Sequence, residues 1–175
     1  MKLSAADYIT LSRFPLAILF FIFIQDLWIA FSLFVLLGLS DVLDGYVARK
    51  TKKVTKYGGA LDPLADKFFL VGAFIAYYIL GKLFWWELLL LVVRDIYSVS
   101  EIIYIAITKD PKKHKASIFG KLTTFLQNSV IVILIFEIGI LLLPFVIATF
   151  ISSIITIYNY VMSRWSPKKR GKNDI

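Results

Sequence analysis

Six long apolar runs, set apart by short polar stretches, dominate the chain. The first, Tyr8 to Ile24, ends at the polar pair Gln25-Asp26. The second runs from Leu27 to about Lys50 and meets a basic stretch, Thr51 to Tyr57. The third, Gly58 to Leu80, closes on Gly81-Lys82-Leu83. The fourth, Glu87 to Ile107, follows the trio Phe84-Trp85-Trp86 and gives way to a second basic stretch, Lys109 to Lys115. The fifth covers Ser117 to Phe136, Glu137-Ile138-Gly139 marks the next turn, and the sixth ends near Met162. A helix needs about 20 apolar residues to cross a bilayer. The pattern therefore predicts an all-α, polytopic membrane protein with six transmembrane helices, as a single domain over residues 1–175. Met1 to Asp7 reads as a short interfacial segment, retained rather than cleaved. Residues 163–175 read as a polar, basic, mobile tail. Trp85 and Trp86 fit an interfacial aromatic belt.

Composition sharpens this reading. Hydrophobic residues make up 59% of the chain, and the mean hydropathy is +0.77, too apolar for an ordinary soluble domain. The net charge is +8. The basic residues cluster in the short stretches between apolar runs, which suits anionic lipid heads and phosphorylated substrates, and needs no nucleic acid. With no cysteine, zinc–thiolate sites are excluded. Six spans place both termini on one side. The basic stretches at 49–56 and 109–115 and the tail fall on that side, while the opposite turns receive only Lys82. The positive-inside rule makes the basic side cytoplasmic.

Four carboxylates stand out against this background. Asp41 and Asp44 are three apart near the end of the second span; Asp62 and Asp66 are four apart at the start of the third. On helices, each pair shares a face. Hard oxygen donors of this kind suit Mg²⁺ or Mn²⁺. Two such ions about 3.5–4 Å apart would suit in-line displacement at phosphorus. Gly45, Ala48, Gly58 and Gly59 remove bulk around the acids, and Arg49 can reach a phosphate. The alternative is a set of surface pairs with the lysines of 50–56. Arg94, inside the fourth span, is a candidate grip for an acceptor phosphate, or else a structural partner of Asp95 or Glu101. Lys121 is a second candidate phosphate ligand, or a snorkelling lysine. Arg13 allows the same two readings, nucleotide contact or snorkelling. Lys112, Lys113, His114 and Lys115 fit contact with lipid heads.

The spacing Asp41-x2-Asp44-Gly45-x2-Ala48-Arg49-x8-Gly58-x3-Asp62-x3-Asp66 resembles the signature of the CDP-alcohol phosphotransferase family at every defined position. Thr10-x2-Arg13, Arg94-Asp95, and Ala116-Ser117-x2-Gly120-Lys121-x-Thr123 with Gln127 look like its phosphatidylglycerophosphate synthase branch. The chain has Ala6-Asp7 where that branch has Pro-Asn. The resemblance implies a dimeric six-helix membrane fold with a cavity open to the cytoplasm. It implies two divalent cations on Asp41, Asp44, Asp62 and Asp66, with Asp66 also the general base. The CDP-lipid would lie over Gly45, Ala48, Arg49 and Gly58, touched by Thr10 and Arg13. Arg94, Lys121 and Ser117 would hold the acceptor, glycerol 3-phosphate. CMP would leave, and phosphatidylglycerophosphate would form. Inositol phosphate, serine or phosphatidylglycerol as acceptor, and an archaeal ether lipid as donor, are the variants of that reading. A divalent-cation transporter is the alternative from another class. It would spread acids through the bilayer depth, whereas these cluster at one margin. A non-catalytic lipid-binding scaffold, the third class, would not need Asp66 in addition to three metal ligands.

Overall fold

The computed structural model describes the backbone of residues 5–51, 58–108 and 118–165, and side chains at 12–40, 42–43, 67–100 and 118–162. These residues form six helices and, among them, no strand: α1 (Ala5–Ile22), α2 (Leu27–Thr51), α3 (Gly58–Ile79), α4 (Trp85–Thr108), α5 (Ile118–Ile135) and α6 (Gly139–Trp165). The element order is the expected one. Helix α1 starts at Ala5, inside the stretch expected to lie in the interface, and α6 continues to Trp165, past the expected end of the last span.

The turns are specified locally. After α3, Gly81 takes φ 72°. Its N–H donates to the Tyr78 carbonyl and that of Lys82 to the Tyr77 carbonyl, the paired bonds of a Schellman cap. After α5 the same bonds run from Glu137 to Leu134 and from Ile138 to Ile133, but the left-handed position is Glu137, with φ 54°. Helix α4 opens at Trp85, not Glu87, because the Glu87 carboxylate accepts from the Phe84 N–H at 2.9 Å, half of a capping box. The two turns are tied together by Lys82 Nζ and Glu137 Oε1 at 2.7 Å.

Helix α1 packs on α2 and α3, α4 on α3 and α6, and α5 on α2, α3 and α6. Phe20, Phe74, Tyr77, Leu91, Val130 and Ile131 are fully buried between them. Aromatic rings fill the α1–α3 seam: Phe20 meets Phe69 edge-on at 5.2 Å, and Phe21 stacks on Phe69 at 6.4 Å. Gly72 makes room for this, since a Cβ there would stand 2.6 Å from Phe21 Cζ. The α5–α6 seam is built from small hydroxyl residues. Thr123 Oγ1 lies 2.8 Å from Ser152 Oγ and 3.3 Å from Thr156 Oγ1, as suits helices that must approach closely without water.

The outside is apolar. Ile22, Trp28, Ile79, Ile118, Ile140 and many other large hydrophobic side chains stand exposed, far more than a water-facing surface carries. Two helices, over Ile118–Ile135 and Gly139–Met162, are long and apolar enough to cross a membrane. Within the described residues the other apolar stretches are Ser12–Ile22, Leu27–Ser40 and Lys67–Ile79.

Candidate active site

Asp41 and Asp44 lie on α2, and Asp62 and Asp66 on α3, each pair about one helical turn apart. Only residues 52–57 separate the two helices, so both pairs belong to the same end of the bundle. The helix backbone is what the structure gives at these positions. The side chains of Thr10, Asp41, Asp44, Arg49, Asp62 and Asp66, and the surroundings of Gly45, Ala48 and Gly58, lie outside the described residues. Ser117, Lys112, Lys113, His114 and Lys115 lie outside them altogether.

The short connection predicts α2 and α3 as antiparallel neighbours whose acid pairs can face each other; the acid side chains lie outside the described residues. Among the described residues α2 and α3 share no extensive contact; α1 and α5 each touch both. Large rings act as spacers, with Phe34 of α2 reaching Phe69 of α3 at 6.3 Å between ring centres.

Arg13 is only 4% exposed. Its Nε donates to Ser40 Oγ at 3.3 Å, tying α1 to the α2 residue just before Asp41. A snorkelling arginine would reach outward; this one is turned to the acid-bearing part of α2.

A second polar group begins one residue after Asp66. Lys67 is half-buried, and its Nζ is fully enclosed without a hydrogen-bond partner. The charges acting on it are Asp95 and Arg94. Arg94 Nη1 donates to Thr124 Oγ1 at 3.0 Å, while its buried Nε has no partner. Asp95, 3% exposed, accepts from Gln127 Nε2 at 2.6 Å. The same amide nitrogen donates to the Leu91 carbonyl at 2.9 Å. The Arg94–Asp95 pair, the alternative to a phosphate grip, is not made: Arg94 bonds Thr124 and Asp95 bonds Gln127. Neighbours in sequence point about 100° apart on a helix and do not face each other. Glu101, the other expected partner, has its side chain outside the described residues. Gly120 is the meeting point of three helices: a Cβ there would stand 3.2 Å from Tyr160 Oη and 3.4 Å from Arg94 Nη2. Tyr160 stacks on Tyr97 at 6.5 Å. Lys121, next along α5, is exposed, and among the described residues it does not join this group.

Sequence reading missed three members. For Lys67 there was a usable signal, a lysine beside Asp66 at the head of an apolar run. Thr124 and Tyr160 carried none, because their value depends on which helix faces Arg94.

Fold and site together define a helical membrane protein with four aspartates at one end and a buried cationic group beside them. The profile of the CDP-alcohol phosphatidyltransferase family matches residues 3–165, and the chain belongs to that family. Three relatives are each named CDP-diacylglycerol–glycerol-3-phosphate 3-phosphatidyltransferase. The chain is 34% identical over 126 residues to the one from Aquifex aeolicus, covering 70% of each protein. It is 38% identical over 80 residues to the one from Haemophilus influenzae, covering 43% of each. It is 46% identical over 48 residues to the one from Cereibacter sphaeroides, covering 27% of this chain and 22% of the relative. The matches to the last two thus span less than half of those relatives' length.

Proposed function

We propose that this protein transfers a phosphatidyl group from CDP-diacylglycerol to glycerol 3-phosphate, releasing CMP and forming phosphatidylglycerophosphate. The observation that carries the proposal is the full four-aspartate spacing on α2 and α3, in a chain whose relatives bear the name of this reaction. Six membrane spans, with both termini and the acid-bearing end cytoplasmic, accord with the charge distribution. The lipid's acyl chains then stay in hydrocarbon while the water-soluble acceptor arrives from the cytoplasm. The chain acts as a homodimer.

The donor set, four carboxylates in two one-turn pairs, fits two Mg²⁺ or Mn²⁺ ions. Asp41, Asp44, Asp62 and Asp66 hold them. When bound, they neutralise the diphosphate and the departing CMP. Arg13, Thr10, Gly45, Ala48, Arg49 and Gly58 seat the CDP moiety: the small residues admit the ligand to the backbone and the arginines meet its phosphates. Arg94, Lys121 and Ser117 orient the acceptor. Asp66 takes the proton of the attacking hydroxyl.

The test is CMP release by purified protein supplied with CDP-diacylglycerol, Mg²⁺ and a panel of acceptors. Release with glycerol 3-phosphate, lost in Asp66→Asn and on chelation, supports the reading. Release only with inositol phosphate or serine overturns the substrate assignment. No release with any acceptor, or full activity in Asp66→Asn, overturns the mechanism.

A further inference from the structure

Two cationic side chains on adjacent helices keep unspent donors in the interior. Lys67 on α3 has its whole ammonium enclosed and unbonded, and Arg94 on α4 has its Nε enclosed and unbonded. An uncompensated buried cation is costly, and among the described residues these two stand beside one carboxylate, Asp95. That carboxylate is already engaged: Asp95 accepts the Gln127 amide at 2.6 Å. The arrangement is rigidly held. Thr124 fixes Arg94 Nη1 at 3.0 Å, and the gap at Gly120 leaves the guanidinium room. Asp95 also lies within electrostatic reach of Lys67. What the group lacks is an acceptor with several oxygens and more than one negative charge. A phosphate monoester meets that description; a hydroxyl or a carboxylate alone does not.

We infer that Lys67 and Arg94 together form the inner seat for a phosphate monoester group, with Lys67 deciding that a phosphorylated acceptor is used. This rests on the proposed transfer reaction and adds to it a residue that nothing else assigns. Lys121, exposed, then serves the outer approach, and Lys67 the seated anion.

The experiment has two arms on the full chain in detergent. In the first, inorganic phosphate is titrated calorimetrically into metal-free protein without CDP-lipid. Wild type binds; Lys67→Gln loses about tenfold in affinity, as removal of a charge-assisted bond requires. Lys67→Arg retains most of the binding, and Lys82→Gln, at the far turn, retains all of it. In the second, CMP release gives KM for each substrate. Lys67→Gln raises KM for glycerol 3-phosphate by about tenfold or more and leaves KM for CDP-diacylglycerol within about twofold. Unchanged phosphate binding in a folded Lys67→Gln protein overturns the inference, as does an equal rise in both KM values. If wild type releases no CMP with glycerol 3-phosphate, the proposed reaction fails, and the phosphate titration still decides the seat.

Discussion

Gln127 of α5 donates to Asp95 of α4 at 2.6 Å, the only hydrogen bond that the Asp95 carboxylate makes among the described residues. It fixes α5 against α4 at the level of Arg94 and leaves the guanidinium to Thr124. Removing the amide strands a buried carboxylate. Gln127→Leu should cost about 1–3 kcal/mol, the penalty for an unsatisfied buried acceptor. Gln127→Glu should cost more, since two carboxylates would then face each other. Thermal unfolding in detergent reads both. Equal midpoints for wild type and Gln127→Leu would mean the bond is not structural.

Gly120 should tolerate no side chain without loss of function. The Cβ of Gly120→Ala would press on Tyr160 Oη and Arg94 Nη2, at 3.2 and 3.4 Å. Arg94 is pinned by Thr124 and has little freedom to yield. The expected outcome is a raised KM for glycerol 3-phosphate with an unchanged KM for the CDP-lipid. Steady-state kinetics with each substrate varied in turn checks this split.

Gly72 should respond differently, through packing alone. In Gly72→Ala the new methyl would stand 2.6 Å from Phe21 Cζ. Phe21 is hemmed in by Phe20, Phe68 and Phe69. Overpacking of this kind costs about 1–3 kcal/mol. Phe21→Leu should relieve part of the strain, so the double variant should be more stable than the sum of the two single changes. A double-mutant cycle on unfolding midpoints measures the coupling. Strict additivity would show that the two positions do not touch.

The turn after α5 should be improvable. Glu137 holds a left-handed backbone position where glycine fits without strain. Its side chain is exposed, and exposed ion pairs are weak. Glu137→Gly should therefore raise the unfolding midpoint, and Glu137→Val should lower it. The pair with Lys82 also gives a pH signature. The Lys82 hydrogen bond, and then its charge, holds the Glu137 carboxyl below its ordinary value of 4.5. A depressed folded value means stability present above 4.5 and lost as pH falls through the lower folded value. The difference in midpoint between wild type and Glu137→Gln should be present near neutral pH and vanish in acid. A difference that grew in acid would reverse the assignment.

The sequence alone determined the six helices, their order, the family and the four aspartates. Each of these depends on local information. Apolar runs, turn residues and i, i+3 or i, i+4 spacing are properties of a segment and its neighbours. Even the cap at Gly81 was marked by its glycine, whereas the equivalent cap at Glu137 was not, because its bonds come from backbone geometry. The tertiary structure decided what depends on which helix faces which. Among the described residues it set α1 and α5 each against both α2 and α3. It turned Arg13 inward to Ser40, and it gave Asp95 to Gln127 and Arg94 to Thr124. Nothing in the order of residues states that Lys67 and Arg94, 27 positions apart in the chain, come within electrostatic reach of each other. Helix packing decides that, and with it the proposed anion seat.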